Sequence, residues 1–325
     1  MKQILVFLVL LSGGLGGTPP NSQFAMNRLP KSGATLRTSE GKLTWKERLG
    51  SGSYGYVYEA VLVTRKGEAM PAAVKIEKPR PGPPDQFLGP TIPVGYSTLV
   101  HEYYMMDMMS TTRGFPDVYA ANFDGKYHYY VMELLGKTVG QIRKESDGGI
   151  IPSPRLASMA LQMLDRLEAL HEGGYLMYDI HEHNFMFDKK DKILYAIDLG
   201  LAFPYRDSQG YHIPYGYSHL PQGVMSQKFS SAGDSEGHAV SRKDELERFL
   251  HLVVFLGTGK LPWLKLKSFD RRISKWHTSA KDVCTEKLAW LAPALRYVRK
   301  LNFEEDPDYD FIRGIFKKHI KSAKS

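Results

Sequence analysis

The stretch Asp179-Ile180-His181-Glu182-His183-Asn184, followed by Asp198-Leu199-Gly200, decides how this chain is read. An aspartate, an asparagine five positions on and a D-L-G motif fourteen beyond that form an ordered set of oxygen donors. Asp179 suits the acceptance of a hydroxyl proton, Asn184 offers a neutral oxygen to a metal, and Asp198 offers the same metal a carboxylate. His181-Glu182-His183 lacks the i, i+4 histidine spacing of H-E-x-x-H and has no evident third ligand, so zinc is set aside.

Two upstream motifs fit that set. Gly50-Ser51-Gly52-Ser53-Tyr54-Gly55-Tyr56-Val57 is a G-x-G-x-x-G-x-V pattern between two strand-like runs. Glycines let backbone N–H groups approach phosphate oxygens, although a tight hairpin uses the same residues. A dinucleotide-binding turn needs a helix after the third glycine. Tyr56-Val57-Tyr58 continues as strand instead, which favours a glycine-rich flap over nucleotide phosphates. Ala72-Ala73-Val74-Lys75 ends an apolar run in a cation, which either snorkels to water or finds an anion. Glu102, on a predicted helix over Ser97–Met109, is the candidate partner, and the pair would hold Lys75 against the α- and β-phosphates.

Around these motifs the chain divides by periodicity. Short strand-like runs rich in Val, Tyr and Leu occur at Leu43–Leu49, Tyr56–Thr64, Ala72–Glu77 and Tyr127–Met132. Six prolines between positions 79 and 93 make that stretch a loop. Beyond Gly136 the pattern is helical. Ser153-Pro154 reads as a cap followed by a proline in the first turn, with Leu156, Met159, Met163, Leu167 and Leu170 at three- and four-residue spacing. Helical spacing returns in Leu246–Leu256, Leu288–Val298 and Phe311–Ile320, while Met105, Met106, Met108 and Met109 read as helix packing. The expected architecture is α+β and bilobal: a flexible lead-in over 26–42, a small β-rich N-lobe over 43–133, a larger mainly helical C-lobe over 137–320, and a tail over 321–325.

With 325 residues, 42% of them apolar, and a net charge of +8, the chain is neither a disordered tail nor a collagen nor a coiled coil. Its single cysteine, Cys284, excludes an internal disulfide framework and a four-thiolate zinc site, and fits a reducing compartment. The basic excess is spread out, so the expected partners are acidic or phosphate-bearing and not nucleic acid. Lys2 precedes the apolar run Ile4–Leu11 and a small-residue stretch. Residues 1–25 thus read either as a signal peptide or as an extension upstream of a start at Met26. The run is too short to span a bilayer. The expected compartment is cytoplasm or nucleus, with the secretory pathway as the alternative if the signal is genuine.

Taken together, the motifs resemble a eukaryotic protein kinase, and within that superfamily the casein kinase I group. The resemblance covers Leu43 to Ile320. It rests further on Val131-Met132-Glu133-Leu134-Leu135-Gly136, on Asp198-Leu199-Gly200-Leu201-Ala202 with Tyr205-Arg206-Asp207 and His212-Ile213-Pro214-Tyr215, and on Ser241-Arg242-Lys243-Asp244-Glu245-Leu246-Glu247. Leu261-Pro262-Trp263 and Phe303-Glu304-Glu305-Asp306-Pro307-Asp308-Tyr309 complete it. It implies that Gly50, Ser51, Gly52, Gly55 and Val57 bind ATP together with Ala73, Lys75 and Glu102. Met132 would be the gatekeeper, and the backbone of Glu133 and Leu135 would bond the adenine. Asn184 and Asp198 would hold Mg²⁺, with Mn²⁺ as an alternative, and Asp179 would be the catalytic base. Acidic or phosphorylated protein substrates would meet Lys228, and Arg271, Arg272 and Lys275 with Lys265 and Lys267 could extend that basic patch. The expected state is a monomer without a C-terminal autoinhibitory segment.

The departures fall where the γ-phosphate is handled. Met177-Tyr178 stand where the family has His-Arg, which puts the rigidity of the catalytic loop at issue. His181 replaces a lysine that neutralises the transferring phosphoryl, and an unperturbed imidazole is mostly uncharged at neutral pH. Loss of one fixed charge there costs roughly 10²–10³ in rate. The expectation is a slow serine/threonine kinase, or one that speeds up as pH falls. Val224-Met225-Ser226 replaces the usual Thr-Gly-Thr near the substrate end. Two functions of different class follow: an active kinase, favoured because Lys75, Glu102, Asp179, Asn184 and Asp198 are all present, and a pseudokinase that binds nucleotide or scaffolds partners.

Overall fold

The computed structural model describes residues 29–52, 55–77, 98–123, 128–216, 228–233 and 239–322. The apolar segment near the N-terminus, Met26, the proline-rich stretch 79–93 and Val224-Met225-Ser226 lie outside them. The chain forms two units, one running to Leu135 and including Asp198–Gly200, the other comprising Gly136–Ile197 and everything from Leu201 onward.

The first unit is built on a six-stranded antiparallel sheet in the order β1-β2-β3-β4-β6-β5. Its strands are β1 (Thr35–Arg37), β2 (Gly41–Ser51), β3 (Gly55–Thr64), β4 (Ala69–Glu77), β5 (Val118–Asn122) and β6 (Tyr129–Glu133). Helix α1 (Thr98–Met109) lies between β4 and β5 in sequence. Period-two alternation puts Leu43, Trp45, Tyr58, Leu62, Val74 and Val131 into one core. Trp45 sets its edge against Tyr58 at 5.4 Å and Tyr129 at 6.2 Å, the arrangement aromatic quadrupoles favour. The same alternation sends the next residues to the other face. On β4 these are Ala73 and Lys75, opposite Met132 and Tyr130 of β6.

In this unit two strands lie outside the runs expected from the sequence. The fold starts before Leu43, because Thr35–Arg37 pairs with Lys42–Thr44 and Leu36 packs on the core. Three residues with one apolar side chain are too short to show a period. Val118–Asn122 reads Val-Tyr-Ala-Ala-Asn, which does not alternate, and a register shift marks its pairing with β6. Met105, Met106 and Met109 are buried on α1, as packing requires.

The second unit is mainly helical: α2 (Val139–Glu145), α3 (Ser153–Glu172), α4 (Arg242–Thr258), α5 (Ser268–His277), α6 (Ala280–Val283), α7 (Ala292–Lys300) and α8 (Tyr309–Ser322). Two-stranded ladders pair β7 (Tyr175–Leu176) with β10 (Phe203–Pro204), and β8 (Phe185–Phe187) with β9 (Leu194–Ala196). All five apolar residues expected on α3, from Leu156 to Leu170, are buried. Ser153, however, does not cap the helix. Pro152 holds the cap position, and the Ser153 hydroxyl pairs with His319 at 2.8 Å. The single helix expected over Leu288–Val298 is broken. A 3₁₀ turn over Glu286–Leu291 precedes α7, since Pro293 has no N–H to continue a helix through that point. Helices α2, α5 and α6 lie outside the segments expected to be helical. Lys275 of α5 is only 1% exposed, with its ammonium on the Ser230 hydroxyl and 5.6 Å from the Trp263 ring. It therefore does not belong to a surface basic patch.

His251 on α4 gives the fold a pH dependence. Burial holds its imidazole at about 4, helped by Arg299 and Lys275 and opposed by Glu247. The unfolded chain takes up a proton below its ordinary value near 6.5, and the folded chain does not. Stability is therefore complete above pH 6.5 and falls as pH drops toward 4, by about 3 kcal/mol from this group. We expect His251→Gln to flatten that part of a thermal-unfolding profile measured against pH. An unchanged slope would refute the assignment.

Candidate active site

In the first unit the glycine-rich hairpin turns between β2 and β3, with the Gly52 N–H donating to the Gly55 carbonyl at 2.9 Å. A Cβ on Gly55 would come within 2.4 Å of the Ile76 carbonyl oxygen, so packing alone demands glycine there. Gly50 and Gly52 differ: neither has a positive φ, and among the described residues a Cβ on either would meet nothing within 4 Å. The described residues thus give no steric reason for glycine at these two positions, whereas close approach of a ligand would. Ser51 ends β2 opposite Tyr56, and Val57 pairs with Lys75 across the β3–β4 ladder.

Lys75 is buried, and its ammonium lies 2.5 Å from Glu102 Oε1 and 3.1 Å from Asp198 Oδ2. Burial works against its charge, but Asp198 and Glu102 outweigh it and raise its pKa above the usual lysine range. Glu102, 3% exposed, is pushed up to about 7 by burial and by Asp198, against the pull of Lys75 and of a hydrogen bond from Tyr130. Asp198 has φ +58° and a side chain 43% exposed. A non-glycine residue in that region is uncommon and marks a constrained, often functional, position. Met132 and Glu133 end β6. The Glu133 N–H is committed to the Asp117 carbonyl at 2.9 Å, so a contact from Glu133 to a base would come from its own carbonyl. Leu135, largely buried, is the last residue before the chain passes into the second unit.

The second unit carries Asp179, His181 and Asn184 on the loop between β7 and β8. The Asn184 amide nitrogen donates to the Asp179 carbonyl at 3.0 Å. His181 Nε2 sits 3.2 Å from Asp179 Oδ2, and His181 Nδ1 accepts the His183 N–H at 3.1 Å. An Nδ1 that accepts is unprotonated, so a neutral ring would carry its hydrogen on Nε2, the nitrogen that faces Asp179. Lys228 is half-buried. It pairs with Glu182 at 3.2 Å and lies 3.3 Å from the centre of the Phe255 ring, so it has a partner within the protein.

The rigidity put at issue by Met177-Tyr178 comes from α4. Glu245, 0% exposed, accepts the Met177 N–H at 3.1 Å and the Tyr178 N–H at 2.6 Å, and takes a third bond from His171 Nε2 at 2.8 Å. The Tyr309 hydroxyl in turn donates to His171 Nδ1 at 2.6 Å. Arg248 donates to the Tyr178 carbonyl and lies 4.4 Å from the centre of its ring. These contacts hold Tyr178 at φ +68°, immediately before Asp179. Glu245 stands in a stretch that carries the family resemblance, but neither it nor Arg248 shows a role in the sequence, because Lys243-Asp244-Glu245-Leu246-Glu247-Arg248 reads as an ordinary charged helix start. Three hydrogen bonds to one buried carboxylate make its loss costly. We expect Glu245→Gln, whose amide nitrogen cannot accept, to lower stability by about 2–4 kcal/mol. A thermal midpoint within a degree of wild type would show that the network carries little.

A β-sheet unit with a buried lysine–glutamate pair joined by Asp198 and a helical unit with an ordered Asp179–Asn184 loop together define a protein kinase. Residues 43–222 match the protein kinase domain family, and the chain belongs to it. Its similarity is to the casein kinase I-like group. It is 28% identical over 282 residues to casein kinase I homolog 3 of Schizosaccharomyces pombe, a match covering 83% of this chain and 60% of that protein. The chain thus spans about 60% of the length of this curated relative.

Proposed function

We propose that the chain is a serine/threonine protein kinase that moves the γ-phosphoryl of ATP to hydroxyls of acidic or already phosphorylated proteins, at a reduced rate. The observation that carries this reading is the Lys75 ammonium held by two carboxylates, Glu102 and Asp198, one of them buried. Lys75 is thereby fixed as a charge for phosphates. Asp198 and Asn184 are the residues that would hold Mg²⁺, with Mn²⁺ as an alternative. Their donors suit a hard cation: one is a carboxylate, and the Asn184 amide uses its nitrogen on Asp179 and so presents its oxygen. The ion, when bound, would neutralise phosphate charge. Asp179 takes the hydroxyl proton as the alcohol oxygen bonds to the γ-phosphorus and the bond from that phosphorus to the ADP oxygen breaks.

Lys228 bears on substrate choice through its pair with Glu182, which an acidic substrate group would have to share or displace. We place the protein in cytoplasm or nucleus as a monomer, a reading that sequencing of the mature N-terminus and sedimentation would test. A pseudokinase is the second reading, favoured by the imidazole that stands in a lysine position and engages Asp179. The deciding experiment measures phosphate incorporation from labelled ATP into casein by wild type and Asp179→Asn. Signal from wild type alone supports the kinase, and equal signals leave the scaffold.

A further inference from the structure

We propose that Tyr130 is a positioning residue of the phosphate clamp: its hydroxyl holds the Glu102 carboxylate in the orientation that engages Lys75, tying helix α1 to strand β6. The inference rests on the kinase reading for its consequence, but on local geometry for its substance. Tyr130 is 0% exposed, and its hydroxyl donates to Glu102 Oε1 at 2.8 Å. That same oxygen accepts the Lys75 ammonium at 2.5 Å. One carboxylate oxygen therefore receives both donors, and they approach from neighbouring strands.

The sheet register makes this arrangement. Lys75 and Tyr130 are direct partners across the β4–β6 ladder, so their side chains leave the same face side by side. Their neighbours Val74 and Val131 are partners too and point into the core on the opposite face. Glu102 belongs to α1, and it is buried where its charge is costly. A carboxylate in that position needs donors, and Lys75 alone is a point charge on a flexible stem that fixes distance better than direction. A phenol on a rigid ring adds a directional bond. The hydrogen bond also favours the ionised form of Glu102, which burial opposes. If packing were the only requirement, phenylalanine would fill the same volume; its ring would keep the contact with Tyr103, whose centroid is 6.2 Å away.

A double-mutant cycle on the full chain separates positioning from packing. Tyr130→Phe is expected to weaken binding of a non-hydrolysable ATP analogue with Mg²⁺ by about five- to tenfold. KM for ATP should rise by a similar factor while KM for a peptide substrate stays put. In a Glu102→Gln background, where the carboxylate that relays the bond to Lys75 is gone, the same change should alter affinity by less than about twofold. Equal losses in both backgrounds, or no loss in either, overturn the proposal. The second readout needs no nucleotide: the rate at which an amine-acylating reagent modifies Lys75, followed by mass spectrometry. Tyr130→Phe should raise that rate at least about threefold, with no further increase when added to Glu102→Gln. If wild type binds no ATP analogue yet the acylation cycle is non-additive, the kinase reading falls and the clamp stands. An additive cycle sinks the clamp whatever the nucleotide does.

Discussion

Asp179→Asn is expected to reduce phosphate transfer by about 10²–10⁴-fold, the range a positioned general base supplies. Asparagine keeps the shape of the side chain but cannot take a proton at neutral pH. The loop should otherwise survive the change. It is anchored through the backbone of Met177 and Tyr178 to Glu245, and through the Asp179 carbonyl to Asn184, none of which uses the Asp179 carboxylate. The carboxylate contacts that are lost, to His181 at 3.2 Å and a long one to Asn184 at 3.5 Å, are partly solvent-exposed and worth little to stability. Thermal unfolding and nucleotide affinity should therefore stay close to wild type while transfer collapses. A variant that retains most of its rate would remove Asp179 from the chemistry. One that loses rate and fold together would mean that the carboxylate is structural.

The contrast between Asp179 and Glu245 explains how much of the molecule the sequence could reveal. Lys75, Glu102, Asp179, Asn184 and Asp198 were legible as candidates because the proposed chemistry imposes residue types at ordered separations, and the geometry brings Lys75, Glu102 and Asp198 within bonding distance. Glu245, Arg248 and Tyr130 were not. Each is polar because of a partner distant in sequence, with 68 positions separating Glu245 from Met177 and 28 separating Tyr130 from Glu102. No local periodicity records such a pairing. The same holds for Lys275, whose neighbours Arg271 and Arg272 suggested a basic surface, whereas its own ammonium turns inward to Ser230. Strands were found where Val and Tyr alternate, as in β3, and missed where three residues or a bulge hid the period, as in β1 and β5. The broken helix before α7 was legible in principle, since Pro293 stands inside the apolar run. Helical spacing on either side outweighed it.

His181→Lys should accelerate phosphate transfer, by up to about 10²-fold, the scale on which one electrostatic donor acts in a transition state of developing charge. In wild type the His181 Nε2 lies 3.2 Å from Asp179 Oδ2, and the His183 N–H occupies Nδ1. The ring thus sits against the base, and a neutral imidazole gives the phosphoryl no fixed charge. A lysine changes both things at once: it frees the Asp179 carboxylate from the imidazole, and it carries a permanent positive charge on a stem long enough to reach beyond the loop. ATP affinity should change little if the new charge acts mainly in the transition state, so kcat should rise more than KM falls. The acid-activated alternative needs a second proton at Nδ1, against the His183 N–H that already points there, and would have to break that bond. His181→Gln separates the two ideas, because it has an amide donor for Asp179 and no titratable group. If His181→Lys is no faster than wild type and His181→Gln is dead, the imidazole itself is the working group, and the substitution is an adaptation of this loop, not a loss.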